Sequence, residues 1–234
     1  AHLHVAGEAT YIDDLPELAG TLHCALGLSP VAHGTLKGLS LDGLRALPGV
    51  VAVLTAADIP GPNDCGSIVH DEPILAESEL RYLGQPVFAV IATTRDIARR
   101  AAAQAKAVMQ IEPLPAVLTP QDAHAKGQYV LPPMHLVRGE ARAAIERAPH
   151  RIKGSFDVGG QEQFYLEGQI ALAIPGEDDE VTLQVSTQHP TEIQHKVAEA
   201  LGLPMSAVRV EMRRMGGGFG GKESQGNALA VACA

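Results

Sequence analysis

The C-terminal part of the sequence repeats one layout, in which a strand is followed by a polar junction and a helix. Alternate residues of VTLQVSTQ (Val181–Gln188) are apolar, which predicts a strand with one buried face. Pro190 then suits the first position of a helix, and Gly202 suits its end. The second copy has an alternating strand at Val208–Arg213 and a predicted helix over Glu223–Ala234. Consecutive strand–helix units of this kind predict mixed α and β packing.

A polar feature stands at each of the two strand-to-helix junctions. Gln188 ends the first strand, and the run MGGGFGGKE (Met215–Glu223) follows the second. Such junctions expose free backbone N–H groups and often bind ligands. Both features are therefore candidate ligand positions.

The glycine run fits two phosphate-binding patterns. Gly216, Gly218 and Gly221 fit G-x-G-x-x-G, and Gly216–Lys222 fits G-x-x-x-x-G-K. The first pattern also needs an acidic residue about 20 positions later, where the sequence offers no test. The second needs Ser or Thr directly after the lysine, where this chain has Glu223. Each interior glycine costs about 0.5–1 kcal/mol of extra backbone entropy on ordering, which favours close approach of the backbone to a bulky ligand over a flexible turn.

The first half of the chain also alternates strands and helices. A Val-rich run after Pro48 predicts one strand, and the continuous apolar run Pro86–Thr93 predicts a buried one. Thr94 or Asp96 can cap the alanine-rich helix that follows. The apolar run Ala107–Ile111 then predicts a returning strand. Strand, helix and strand form a βαβ unit, so this region is expected to be α/β or α+β.

The chain is long enough for two domains, and its composition changes between them. With 234 residues and 46% hydrophobic content it can bury one large core or two modest ones. Prolines recur between Pro113 and Pro149, where VRGEARAAIERAPH predicts one short helix. We predict a first domain over 1–118, a linker over 119–150 and a second domain over 151–234.

Charge and hydropathy exclude several kinds of partner. The formal net charge is −9 and the longest basic cluster is Arg213–Arg214, which predicts no binding to nucleic acid or to an anionic membrane. No apolar run approaches the ~18 to 20 residues that span a bilayer, and no secretory leader is evident. These features predict a soluble, cytoplasmic protein. The start at Ala1 and the end at Ala234, within an apolar run, suggest a piece of a longer chain.

The three cysteines are not arranged as a metal site or a disulfide framework. Cys24, Cys65 and Cys233 are far apart and form no C-x-x-C motif. The spacing of the ten histidines does not suit metal ligands either. We expect ordinary buried thiols and no iron–sulfur or zinc site in this segment.

Several sequence blocks together resemble one known family. They are GEATYIDDLP, PGVVAVLTAADIPG, YLGQPVFAVIA, GGQEQFYLE (Gly159–Glu167), VSTQ (Val185–Gln188) and MGGGFGGKE. In this order they resemble the xanthine oxidase and aldehyde oxidase family, and in particular the molybdenum-binding subunit of its xanthine dehydrogenase branch. The resemblance covers essentially the whole chain. It implies an α+β protein with an α/β hammerhead first domain, followed by the start of a mixed α/β domain that binds the molybdenum cofactor.

The resemblance also assigns roles to individual residues. Gln188 matches the glutamine that hydrogen-bonds an oxo ligand of the molybdenum. Gly218, Phe219 and Gly220 match the loop that passes beside the cofactor, and Glu223 matches a glutamate that contacts the substrate in purine-oxidising members. Molybdenum in this family is held by its pterin, so no protein side chain is expected to ligate it. Gln161–Phe164 are expected to support the cofactor pocket.

The activity implied is hydroxylation of hypoxanthine and xanthine to urate, with water as the oxygen source. Glu223 and Gln188 are the candidate catalytic residues in this chain. The general base and a substrate-binding arginine of the family lie downstream of this segment, which is therefore expected to be inactive alone. Electrons are expected to pass through [2Fe–2S] clusters and FAD on a partner subunit to NAD, in a dimer of heterodimers like the two-subunit bacterial enzymes.

Three other functions remain open on the sequence alone. The same fold can oxidise aldehydes or other N-heterocycles, and many aldehyde oxidases carry an apolar residue at the position of Glu223. A nucleotide-binding domain built around the glycine loop is a further alternative. The last is a scaffold segment that only binds a partner subunit.

Overall fold

The computed structural model describes residues 2–224 and 226–234. The chain forms two compact units. One unit combines the chain up to Pro115 with Gln163–Ala234, and the other is Ala116–Glu162. The predicted division into 1–118, 119–150 and 151–234 stays a prediction.

Ten helices and strands lie before residue 114 in the described part of the chain. They are α1 (His2–Val5), β1 (His23–Leu28), β2 (Gly34–Leu39), α2 (Asp42–Arg45), β3 (Val50–Leu54), β4 (Glu79–Leu80), β5 (Pro86–Ala92), α3 (Arg95–Ala102), α4 (Ala105–Val108) and β6 (Met109–Pro113). One antiparallel sheet has the order β1-β5-β3, and another has the order β4-β2-β6. Both sheets contribute to one core, which includes Phe88 from the first and Leu80 and Met109 from the second.

The predicted strands and helix cap of this region are confirmed. The Val-rich run forms β3, and the continuous apolar run forms β5, whose central position explains its burial. Thr94 is the cap of α3, because its side chain accepts a hydrogen bond from the backbone N–H of Ile97 at 3.2 Å. The helix packs on the sheet through the buried Ala98 and Ala101.

The prediction of a βαβ unit here is wrong. β5 and β6 belong to different sheets, and β6 pairs antiparallel with β2. Both edges of β5 are already hydrogen-bonded, to β1 and to β3, so no edge is available to a returning strand. The apolar periodicity identified the strands but contains no information about which strands pair. The returning strand also begins at Met109 rather than Ala107, after the short helix α4.

The unit Ala116–Glu162 contains two helices and, among its described residues, no strand. They are α5 (Pro120–Ala125) and α6 (Ala141–Arg147). The short helix predicted from VRGEARAAIERAPH is α6. The other helix was not predicted, although Thr119 caps it and Pro120 stands at its first position.

The remaining part of the chain forms a third sheet covered by helices. Its elements are β7 (Ala171–Pro175), β8 (Val181–Val185), α7 (Pro190–Leu201), β9 (Val208–Glu211) and α8 (Asn227–Cys233). The order is β7-β8-β9, in which β7 and β8 are antiparallel and β8 and β9 are parallel. The alternation predicted for β8 is confirmed, because Val181, Leu183 and Val185 are buried. Pro190 and Gly202 bound α7 as predicted.

The start predicted for the last helix is wrong. α8 begins at Asn227, four positions after Glu223. The N–H of Asn227 bonds to Ser224 O and not to Glu223 O, so no helical turn starts at Glu223, whereas Ala230 N–H bonds to Gly226 O as in an α-helix. Within the described ranges, no helix is long and apolar enough to cross a bilayer.

The cysteines differ in burial. Cys65 is buried in the core of the third sheet, where Ile74 and Leu75 of the same loop also pack. Burial raises the pKa of the Cys65 thiol to about 12. Cys24 and Cys233 are only half-buried, contrary to expectation, and all three thiols are free.

Candidate functional site

The structure brings the two strand-to-helix junctions into direct contact. The backbone N–H of Gln188 donates to Lys222 O at 2.7 Å. The side-chain Oε1 of Gln188 accepts from the N–H of Gly220 at 2.9 Å and from the N–H of Lys222 at 3.2 Å. Gln188, Gly220 and Glu223 are therefore gathered at one place, although the first is separated from the others by more than one strand and one helix.

These bonds fix the orientation of the Gln188 amide. An amide oxygen has two lone pairs, and Oε1 of Gln188 directs both toward backbone N–H groups of the glycine loop. The assignment of oxygen and nitrogen follows from this network, since the reverse orientation would oppose donors to donors. No described residue accepts a hydrogen bond from Nε2, and the side chain is exposed. The two Nε2 hydrogens of Gln188 are therefore available to a ligand.

Two glycines of the loop are required by close contacts. A Cβ atom on Gly218 would lie 2.6 Å from Oε1 of Gln188, and one on Gly216 would lie 2.5 Å from the Cβ of Glu167. Movement of either neighbour would disturb its hydrogen bonds to the loop, because Gln188 and Glu167 both accept from backbone N–H groups there. At these two positions the backbone approaches the protein's own side chains, and the predicted approach to a bulky ligand stays a prediction.

Phe219 combines an unfavourable backbone with an exposed ring. Its φ is +51°, in the left-handed region that residues with large side chains avoid. Phe219 is 75% exposed, so packing of its ring against the described residues does not offset this strain. Strained residues that are held in place by their surroundings are common at ligand sites.

The loop also presents backbone donors. No described residue accepts a hydrogen bond from the N–H of Gly217, Gly218 or Phe219. Gly217 has a φ of +99°, and a change of backbone handedness in successive residues turns their N–H groups toward one side. Such a group of donors suits a ligand rich in oxygen and negative charge.

Glu223 supplies an exposed carboxylate directly after the glycine loop. Its side chain is exposed, and no described residue forms a hydrogen bond or ion pair with it. It follows Lys222, whose backbone N–H and C=O both bond to Gln188. Glu223 can therefore accept a hydrogen bond from a ligand that also contacts Gln188.

A buried ion pair beneath the loop was not predicted from the sequence. Lys222 Nζ donates to Glu167 O at 2.5 Å and to Ser186 Oγ at 2.7 Å, and it lies 3.5 Å from Glu167 Oε2. Burial lowers the pKa of Lys222, and the carboxylate of Glu167 partly offsets this effect. The ring of Tyr165 lies 4.7 Å from the ammonium group, which adds a cation–π contact.

Glu167 connects this ion pair to both junctions. Its Oε2 accepts from Ser186 Oγ at 2.6 Å and from the N–H of Gly216 at 2.9 Å. Its Oε1 accepts from the N–H of Ile12 at 3.4 Å. Glu167 lies in the GGQEQFYLE block, and membership of that block was the only signal in the sequence that could have identified it.

The position of Lys222 disagrees with a phosphate-binding loop. In such a loop the lysine side chain reaches the phosphates of a nucleotide. Here Nζ lies beneath the loop and is committed to Glu167 and Ser186. The nucleotide-binding alternative is therefore not supported by the geometry.

The donor set does fit the molybdenum cofactor implied by the resemblance. Gln188 Nε2 and the free N–H groups of Gly217–Phe219 can hold anionic oxygen atoms, and Phe219 offers an apolar surface beside them. Among residues 2–224 and 226–234, no group of three or more His, Cys, Asp or Glu could hold a metal ion.

Comparison with known proteins places the chain in a family. Residues 6–113 match the a/b hammerhead domain of aldehyde oxidase and xanthine dehydrogenase, and residues 122–234 match a molybdopterin cofactor-binding domain. The chain belongs to the aldehyde oxidase and xanthine dehydrogenase family. The expected α+β fold, a hammerhead domain followed by a molybdenum-cofactor-binding domain, is thereby confirmed.

Individual relatives agree with this assignment. The chain is 40% identical to the xanthine dehydrogenase of Dictyostelium discoideum over 228 residues, which cover 96% of this chain and 16% of that protein. It is 37% identical to the xanthine dehydrogenase/oxidase of Felis catus, covering 99% of this chain and 17% of the relative. The chain thus spans about one sixth of the length of these relatives.

A solved structure shows the same fold. The aldehyde oxidoreductase of Desulfovibrio gigas aligns with a TM-score of 0.78 and 27% identity, over 98% of this chain and 28% of that one. The shared fold agrees with the match of residues 122–234 to a molybdopterin cofactor-binding domain.

Proposed function

We propose that the chain is part of a molybdenum hydroxylase that oxidises hypoxanthine and xanthine to urate. One observation supports this most directly: Gln188 Oε1 bonds to the glycine loop that leads to Glu223, while Gln188 Nε2 and the carboxylate of Glu223 bond to no described residue. The names of the relatives from Dictyostelium discoideum and Felis catus support the choice of purine substrates.

The residues of this chain would bind the cofactor and orient the substrate. Gln188 Nε2 and the free N–H groups of the glycine loop would donate to oxygen atoms of the cofactor. The carboxylate of Glu223 would accept a hydrogen bond from a ring N–H of the purine, and this contact would fix the orientation of the ring. When bound, the molybdenum cofactor supplies the oxidation chemistry and the route by which oxygen from water enters the product.

The remaining parts of the reaction belong to other segments or subunits in this proposal. Electrons would pass through [2Fe–2S] clusters and FAD on a partner subunit to NAD, in a cytoplasmic dimer of heterodimers. Oxidation of an aldehyde is the second candidate, and the fold shared with the Desulfovibrio gigas aldehyde oxidoreductase favours it. An apolar residue at position 223 would be expected for that activity, whereas this chain has a glutamate.

The test compares purine and aldehyde turnover in Glu223→Val. We expect purine turnover per bound molybdenum to fall by about 10²- to 10³-fold, the usual cost of losing one charged or polar contact to the transition state, with aldehyde turnover much less affected. Metal analysis, the visible spectrum and steady-state kinetics of the purified holoenzyme provide the measurement. Glu180→Val, at an exposed turn residue, is the matched control.

Two results would contradict the proposal. Equal loss of both activities in Glu223→Val would remove the reason to assign purines rather than aldehydes. A wild-type protein purified with bound nucleotide and without molybdenum would contradict the assignment as a hydroxylase.

A further inference from the structure

The carboxylate of Glu192 receives hydrogen bonds from three separate parts of the chain. Ser67 Oγ donates to Oε1 at 2.5 Å, and Asn227 Nδ2 donates to the same oxygen at 2.9 Å. Nδ1 of His189 lies 3.0 Å from Oε2. Glu192 stands in the first turn of α7, and its side chain is 11% exposed. One buried carboxylate therefore joins a loop of the hammerhead domain, the start of α7 and the start of α8.

The charge of Glu192 is stabilised by these contacts. Burial alone would raise the pKa of this carboxyl, but the hydrogen bonds from Ser67, Asn227 and His189 outweigh burial and lower it. Glu192 is therefore ionised at neutral pH. Hydrogen bonds to an ionised acceptor are about twice as strong as those between neutral groups.

Two of the donors lie within four residues of a candidate site residue. His189 directly follows Gln188, and Asn227 begins the helix that follows Glu223. Asn227 is fully buried, so its side chain has little freedom to move if its acceptor is lost. Contacts made by Glu192 therefore act on both strand-to-helix junctions.

The third donor belongs to a loop of the hammerhead domain that is itself well ordered by hydrogen bonds. Asp64 Oδ1 accepts from the N–H groups of Gly66 and Glu72, and Cys65 O accepts from Asn227 Nδ2 at 3.3 Å. Asn227 thus contacts both Glu192 and this loop. The hammerhead loop and the two junctions form one connected network with Glu192 at its centre.

We propose that Glu192 is a positioning residue that sets the spacing between Gln188 and Glu223. Its carboxylate holds His189, which directly follows Gln188, and Asn227, four positions after Glu223, against the hammerhead loop at Ser67. This inference rests on the proposed function, in which Gln188 faces the cofactor and Glu223 faces the substrate. It assigns the hammerhead domain a direct part in shaping the catalytic surface.

The test uses Glu192→Ala and Glu192→Gln in the holoenzyme. Glu192→Ala removes all three acceptor contacts, and we expect kcat per bound molybdenum to fall by about 10- to 100-fold, the usual cost of small misplacements at a site. Glu192→Gln keeps an acceptor oxygen for Ser67 and Asn227, and it should recover most of this loss. Ser67→Ala removes one donor only and should give an intermediate kcat.

Glu199→Gln is the matched control, because it removes the same charge from the same helix. Its partners are Lys196 and His195, which are not adjacent to Gln188 or Glu223. Wild-type kcat per bound molybdenum is expected for this variant. If loss of negative charge from α7 were the cause, kcat per bound molybdenum would fall equally in Glu199→Gln and in the Glu192 variants. That result would overturn the proposal.

Activity per bound molybdenum separates positioning from stability. If Glu192→Ala loses activity only in proportion to lost molybdenum or lost folded protein, the role is structural and the proposal is wrong. Unchanged kcat and KM in Glu192→Ala would also overturn it. A wild-type protein without molybdenum or hydroxylase activity would instead contradict the proposed function, so the two failures are distinguishable.

Discussion

The two strand-to-helix junctions, residues 186–189 and residues 212–226, reach one surface by different means. The first is short and contributes a side chain, Gln188, whose position follows from the register of β8. The second is long and contributes mostly backbone, which folds over the buried Lys222. Because side-chain Oε1 of the first bonds to backbone N–H groups of the second, each junction limits the shape of the other. A glycine-rich sequence is therefore required in one junction and not in the other.

The largest predicted effect comes from breaking the Lys222–Glu167 ion pair, which lies beneath the second junction. Lys222→Met leaves the carboxylate of Glu167 buried without its cation, and we expect the free energy of unfolding to fall by about 3–5 kcal/mol. Chemical denaturation followed by circular dichroism measures this change. The double variant Lys222→Met with Glu167→Gln should recover part of the loss, because the uncompensated charge is removed. A double variant less stable than Lys222→Met would contradict the importance of that charge.

A second variant tests the Nε2 donor of Gln188 while it keeps the contacts of Oε1 with the glycine loop. Gln188→Glu keeps an oxygen that can accept from Gly220 and Lys222 but removes the Nε2 donor. We expect kcat to fall by about 10²- to 10³-fold, as for loss of one preorganised donor, with little change in thermal stability. Steady-state kinetics of the holoenzyme and its melting temperature are the measurements. Wild-type turnover would show that Nε2 has no part in the reaction.

The smallest predicted effect concerns the contact between the junctions. In Gly218→Ala the new methyl group would lie 2.6 Å from Gln188 Oε1, and displacement of that side chain should cost about 1–3 kcal/mol of stability. Gly168→Ala is the control, because a Cβ there has no heavy atom within 4 Å. Thermal melting of both variants compares them. Equal stability of the two would mean that the junctions do not constrain each other.

The sequence predicted features that depend on local pattern. The alternation in Val181–Gln188 and the Pro and Gly at the ends of α7 fix a strand and a helix with few alternatives, and both are present. The strand ends at Val185, earlier than the predicted Gln188, so Gln188 lies in the short junction between β8 and α7. The functional roles of Gln188, Gly218, Phe219, Gly220 and Glu223 came from resemblance, and they stay predictions.

Features that depend on contacts between distant residues were not predicted. Lys222 and Glu167 are separated by 55 positions, and no periodicity in the sequence relates them. The sheet to which β6 belongs depends on which edges are free, and this is decided only when all strands are assembled. The late start of α8 was also not predicted, and it corresponds to a turn in which the N–H of Asn227 bonds to Ser224 O.

The direction of the Lys222 side chain also limits what sequence patterns can reveal about this loop. One substitution, Glu223→Ser, would complete the letters of a nucleotide-binding motif, yet the ammonium group would remain below the backbone with Glu167. A pattern search would then assign ATP binding to a loop whose lysine ammonium group is paired with Glu167 and does not face a ligand above the backbone. Two loops with the same residues can thus place the lysine side chain either above or below the backbone. Only the burial of that side chain distinguishes the two arrangements.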